Sequence, residues 1–301
     1  MKVKRFDDTI ITSLNYNNDL FLSSFNGCVY QMDLNMEIIN TYEFNEPILS
    51  TNRNDNNLVC TNDIGTIYIT DISTKHQKTV NTNCGGIENI SINDNLIMCG
   101  GWKKKITFVN NDKIVSEYNS PEKIYKTQFT SNFLLCASDT KVFAYDIREM
   151  VEPFYIFEHQ NKIESMVFNN CDSYFIGMVD GKIRLEYFNG TNMESLYFNA
   201  HKLESENTYD LYPVTKLERN FFLYSSGSDG RIYQWNVEKR KKMKCLFSTD
   251  KPITNFVFVD GKLLVLTSES EKISDDEYCE NTNITKINCG NIENYADIVI
   301  S

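Results

Sequence analysis

A chain of 301 residues that is 41% apolar has enough nonpolar mass for a large core, and its formal net charge of −11 argues against a nucleic-acid backbone as the main partner. Five prolines and thirteen glycines exclude collagen-like and Pro-rich disordered chains. The apolar runs are far shorter than a membrane span, and the N-terminal MKVKRFDDTI carries no apolar signal core, so a soluble intracellular protein that does not engage a membrane is expected. Nine cysteines stand singly with no Cys-x-x-Cys pair, several of them in apolar runs such as Leu58-Val59-Cys60. They read as buried, reduced thiols, and neither metal nor cofactor is expected.

Taken in chain order, one unit recurs. Alternating strands are predicted at residues 10–14, 48–51, 87–92, 124–129, 163–168, 214–217 and 253–259. Each leads to an apolar strand, at 20–23, 58–60, 96–99, 133–136, 174–178, 221–224 and 263–266. A tight turn follows, and then a third strand at 28–33, 66–71, 105–110, 141–146, 182–187 and 231–236. The clearest copy is SSGSDGRIYQWN, where Gly230 supplies the positive φ of the turn and Asp229 can bond its backbone. Period-two alternation puts Ile232 on one face of that strand and Arg231 and Tyr233 on the other. A β-branched residue falls at the same place in each third strand: Val29, Ile67, Ile106, Val142, Ile183 and Ile232. From Asp33 to Asp71 is 38 residues, to Asn110 another 39, to Asp146 another 36, to Tyr187 another 41 and to Asn236 another 49. That is the period of a four-stranded propeller blade.

Outer fourth strands are predicted at 37–44, 114–118 and 242–247. The seventh set is irregular: residues 269–280 form a long acidic turn region, and its later strand falls at 283–288. Residues 2–6 are expected to supply the outer strand of the last blade and close the ring. The long interval carries a polar insertion at 200–212. The fold expected is therefore all-β, a seven-bladed propeller formed by residues 1–301 as a single domain.

With Trp235-Asn236 where a Trp-Asp pair stands, and Asp33, Asp71 and Asp146 ending equivalent strands, the pattern resembles the WD-repeat family. The Gly-His pair that opens a strict WD blade is missing and only three histidines exist, which calls that family's His-Asp network into question. More specific stretches are SPEKIYKTQF at 120–129, CASDTKVFAYDIREM to Met150, VDGKIRLEYF at 179–188, FNAHKLESENTYDLYPV at 198–214 and SSGSDGRIYQWNVEKRKKMKCLF to Phe247. These are similar to the budding-uninhibited-by-benzimidazole mitotic checkpoint WD-repeat family, whose near relative is the messenger-RNA export WD-repeat factor of the nuclear pore.

That resemblance implies a non-enzymatic adaptor of the spindle assembly checkpoint in the nucleus and at the kinetochore. Its partners would be the GLEBS segment of checkpoint kinases and phosphorylated Met-Glu-Leu-Thr repeats of the kinetochore scaffold, in a hetero-complex with a monomeric propeller. Carried over residue by residue, Trp102, Lys182, Arg184 and Phe25 become candidates for GLEBS binding, and Lys202 and Arg219 for the phosphothreonine. Lys182 stands where the family has an arginine and loses its bidentate fork; Phe25 replaces a tryptophan and loses the indole donor. Trp235 is read as a packing residue. The basic run 239–244 is read as a solvated turn between blades. The alternatives are the export factor, a WD scaffold of another complex, and a propeller hydrolase with convergent acids at its channel.

Overall fold

The computed structural model describes residues 2–6, 10–188, 195–204, 208–239, 241–259, 262–272 and 278–288. Six four-stranded antiparallel sheets are each cut from one continuous stretch, in the order inner, second, third, outer. In the first, Ile11–Asn17 pairs with Asp19–Ser24, then Cys28–Met32, then Ile38–Glu43. The inner strands of blades two to six are Ile48–Asn54, Ile90–Asn93, Lys126–Phe129, Ile163–Asn170 and Val214–Arg219. A further four-stranded sheet is composite. Ile253–Val259, Lys262–Lys272 and Tyr278–Asn288 pair in turn, and Lys2–Phe6 adds as its outermost strand.

The core lies between the blades. Adjacent residues of a second strand feed opposite interfaces, because strand side chains alternate. Leu58 packs with blade one while Val59 packs with blade three, and Leu134 faces blade three while Leu135 faces blade five. The composite sheet packs on blade one through Val257, Val259, Leu264 and Leu266 against Ile11, Leu14, Leu20 and Leu22, so the last sheet meets the first. The expected alternation holds at the third strand of blade six, where Ile232 packs toward the composite sheet and Tyr233 and Trp235 toward blade five, and neighbours on both faces bury all three.

Polar side chains stitch the inner strands together. Thr12 donates to the Ile48 carbonyl at 2.6 Å, Ser91 to Thr127 at 2.9 Å, Ser165 to Val214 at 2.8 Å and the Lys216 ammonium to Phe256 at 2.6 Å. The Phe168 N–H donates to Gln128 Oε1 at 2.9 Å, and Thr61, on a second strand, reaches the Ile87 carbonyl at 2.9 Å. Each junction from blade one through to the composite sheet thus has such a bond. Desolvation at its station lowers the Lys216 pKa and raises that of nearby Glu218.

A second bond repeats after the outer strand of each of the six continuous blades. The residue after the outer strand donates its N–H to the carbonyl of the second-to-third turn: Phe44 to Gly27, Thr82 to Gly65, Ser120 to Lys104, His159 to Thr140, Ala200 to Gly181 and Thr249 to Gly230, all at 2.7–3.0 Å. That close approach explains the glycines. Gly230 has φ +72°, and a Cβ there would lie 2.1 Å from the Thr249 oxygen.

The sequence placed the third strands of blades two to six at the residues observed. It missed the outer strands Gln77–Asn81, Tyr155–Glu158 and Leu196–Asn199. Two expectations are corrected, and the expected insertion is given its shape. The acidic stretch is mostly paired strand, with Glu269 opposite Asn281 and Lys272 opposite Tyr278; residues 273–277 lie outside the described set. The insertion forms a small hairpin, Lys202–Glu204 with Tyr209–Leu211. Most of the basic run is the outer strand Lys241–Ser248 of blade six, not a turn. Of the described cysteines, Cys60, Cys84, Cys99 and Cys136 are buried as expected, whereas Cys171 and Cys245 are exposed.

Replacing Gly230 with alanine is expected to cost more than about 1 kcal/mol, since it adds φ strain to a clash with the Thr249 oxygen. Urea denaturation against the wild type measures it.

Candidate peptide-binding rim

In an antiparallel meander, the second-to-third turns and the blade-to-blade connections fall at one end of the strands, and the remaining turns at the other. Call the first end the upper rim. Phe25 sits on it in blade one, half-exposed, with its N–H on the Ile10 carbonyl at 2.9 Å. Trp102 sits on it in blade three. Its ring lies flat over Gly86, where a Cβ would stand 2.4 Å from the indole, and its N–H donates to Glu88 Oε1 at 3.0 Å. Glu88 in turn lies 3.9 Å from the Lys126 ammonium.

Lys182 opens the third strand of blade five, and its ammonium meets Asp180 at 2.7 Å. Arg184 lies two residues on. Its guanidinium stacks 4.8 Å from the Phe157 ring and pairs with the buried Glu186, which also accepts from Ser195. Lys202 begins the insertion hairpin, with Glu204 at 2.9 Å and the Tyr209 ring 4.2 Å below its ammonium. On the same rim of blade four, the Lys141 ammonium bonds Glu122 at 2.6 Å, which holds the Glu122 carboxyl below the usual range and raises the lysine. Trp102, Lys182, Lys202 and Phe25 therefore share one rim, and each of the two lysines has an intramolecular carboxylate.

Arg219 is elsewhere. It ends the inner strand of blade six at the lower rim, the length of that strand, roughly 17 Å, from the upper end at Val214. Its donors go to Asn169 Oδ1 at 3.0 Å and to the Asn220 and Phe221 carbonyls at 2.5 Å. The expected pairing of Arg219 with Lys202 on one phosphate is not what the fold produces, because the two stand at opposite ends of the blade.

The His-Asp network called into question by the sequence is present at one blade. His201 Nδ1 meets Asp229 Oδ1 at 2.7 Å, His201 Nε2 meets Ser225 Oγ at 2.9 Å, and the Trp235 indole donates to the same hydroxyl at 2.9 Å. With the imidazole proton on Nδ1, every donor in the chain finds an acceptor. This buried network fixes the connection next to Lys202 and confirms Trp235 as a packing residue, 5% exposed. The order His, Ser, Asp, Trp was in the sequence, but the insertion after His201 separates it from its blade.

Blade five has the same scaffold with other occupants. Asp180 stands where Asp229 does, but Lys182 and Asn161 engage it; Glu186 replaces the tryptophan. His159 is buried beside Phe157, its two ring nitrogens without hydrogen-bond partners among the described residues, and burial with the nearby Arg184 charge pulls its pKa down to about 4.

The fold is thus a β-propeller with WD-like blades. No protein-family model matches the chain. It is 25% identical over 284 residues to the spindle assembly checkpoint protein bub3 of Schizosaccharomyces pombe, covering 86% of this chain and 87% of that one. It is 22% identical over 209 residues to the mitotic checkpoint protein bub-3 of Caenorhabditis elegans, covering 63% and 61%, and 28% identical over 112 residues to an mRNA export factor of Danio rerio, covering 34% and 30%. Among solved structures, U3-55K matches with a TM-score of 0.76 at 10% identity over 94% of this chain and 98% of that one. The computationally designed Ika8 protein matches with 0.69 at 16% over 93% and 97%; both are likenesses of fold. The curated homologues are thus Bub3 WD-repeat proteins and an export factor, in agreement with the resemblance read from the sequence.

The His159 pKa gives a pH test. Folding depresses it from the ordinary ~6.5 to about 4, so the unfolded chain takes up the proton first as pH falls. The contribution of the neutral ring is complete above about pH 6.5 and is lost on the way down to about 4. His159→Phe should therefore lose less stability than the wild type between those limits, by on the order of 3 kcal/mol, in urea denaturation at both ends.

Proposed function

We propose that the protein is a non-enzymatic adaptor of the spindle assembly checkpoint, acting in the nucleus and at the kinetochore. The observation that carries this reading is similarity along most of the chain to a fission-yeast checkpoint protein, joined with four of the candidate residues on a single rim. Counted with the composite sheet as its seventh blade, residues 1–301 act as one propeller. The upper rim receives the GLEBS segment of a checkpoint kinase. Trp102, preset by Gly86 and Glu88, and Phe25 offer apolar contact. Lys182 meets acidic side chains of the peptide by exchanging its bond to Asp180, and Arg184 stands behind it, braced by Glu186 and Phe157. Lys202 meets the phosphothreonine of Met-Glu-Leu-Thr repeats, and its partner Glu204 is exposed and easily displaced. Arg219 would join only if the scaffold peptide also runs along the blade to the lower rim.

A second reading, the messenger-RNA export factor, is favoured by the zebrafish relative over its shorter match. Pull-downs with phosphorylated and unphosphorylated Met-Glu-Leu-Thr peptides, each with and without a GLEBS peptide, separate the two. The checkpoint reading expects phosphate-dependent capture strengthened by the GLEBS peptide, with Lys202→Glu lowering it about tenfold or more and Arg219→Glu lowering it less. Capture that ignores the phosphate, or co-purification with a nucleoporin and no checkpoint kinase, would count against it.

A further inference from the structure

On the upper rim, Lys182 is matched with Asp180, Arg184 with Glu186, Lys202 with Glu204 and Lys141 with Glu122. The outer edge of blade six holds a cluster of cations that are not. Lys241, Lys242 and Lys244 are exposed on the strand Lys241–Ser248, and Arg231 lies on the strand beside it. Among the described residues, none of these four is within ion-pair distance of a carboxylate. The Arg231 guanidinium bonds the Tyr233 hydroxyl at 3.2 Å instead. Arg231, Lys242 and Lys244, together with Tyr233, Met243, Cys245 and Ser248, line an open recess of about 470 Å³. A protein of net charge −11 here gathers unopposed positive charge on one strand.

Among the described residues the same strand is a free sheet edge. Its outward backbone groups can pair with an extended chain. Two register shifts, between Ile232 and Tyr233 and between Gln234 and Trp235, twist the edge, which opposes a long added strand and suits a short one. The aromatic faces are not open to stacking. Lys242 covers Tyr233 at 4.2 Å, Trp235 lies 6.0 Å away, and both rings are almost fully buried. Base stacking on exposed aromatics is how single-stranded nucleic acid is usually gripped.

We propose that the outer edge of blade six is a docking surface for a short acidic peptide segment of a partner protein, gripped by Arg231, Lys242 and Lys244 and aligned along the strand Lys241–Ser248. The surface runs down the side of blade six and reaches the upper rim only at Arg231, which follows its turn as Lys182 does in blade five. The probe is a fluorescein-labelled octapeptide of glutamate and serine, followed by anisotropy from about 50 to about 300 mM NaCl. Saturable binding that weakens with salt is expected, reduced at least about tenfold in Lys242→Glu/Lys244→Glu and unchanged in Lys113→Glu, an exposed lysine of blade three. The unlabelled peptide should slow alkylation of Cys245 without slowing that of exposed Cys171. Absence of saturable binding, equal weakening by Lys113→Glu, unprotected Cys245, or tighter binding of a single-stranded oligonucleotide of the same charge would each overturn the proposal.

Discussion

The structure depends on how each blade deals with the free inner edge of its neighbour. Four strands in a row leave one edge toward the channel, and its backbone carbonyls lie where few backbone donors can reach them. Side chains meet that need from one blade to the next: Thr12, Thr61, Ser91, Ser165 and Lys216 each donate to a carbonyl of the following sheet, while Gln128 accepts an N–H from it. The apolar clusters then lie between blades, so no blade has a core of its own. Composite pairing of Lys2–Phe6 with Tyr278–Asn288 ties the first strand to the last sheet.

Much of this was legible because the repeated unit has a strict local signature. In five of the six blades the turn between second and third strands carries a glycine or a left-handed residue where the next connection returns to bond its carbonyl, and Gly27, Gly65, Gly181 and Gly230 mark it; Thr140 fills the place in blade four without a positive φ. Lys104 fills that place at φ +58°, which is why the blade-three turn reads Lys-Lys and was still found by spacing. Outer strands were less visible. Gln77–Asn81 buries only Val80, so it offers no periodicity to read. The third strand of blade six keeps its alternation of faces, but both are buried because neighbours cover both.

The site was partly legible for the same reason. Residues adjacent to turn signals, such as Trp102 and Lys182, inherit their place from the turn. Arg219 has no such anchor; a shift of a few residues along an inner strand carries a side chain toward the other rim. Nor can spacing show pairing. That Lys182 is held by Asp180, Arg184 by Glu186 and Lys202 by Glu204 is a matter of rotamers and of strands brought together, and it makes the rim closer to neutral than a count of its cations suggests.

Gly86 carries one more consequence. By letting the indole of Trp102 lie against the backbone, it leaves one of the chain's two tryptophans partly in solvent on the upper rim, while the other, Trp235, is sealed between blades five and six. The two emit from different dielectric surroundings. The molecule therefore carries a built-in optical label: a change in the red-shifted part of its intrinsic fluorescence reports events at blade three, against a constant blue component from the interior.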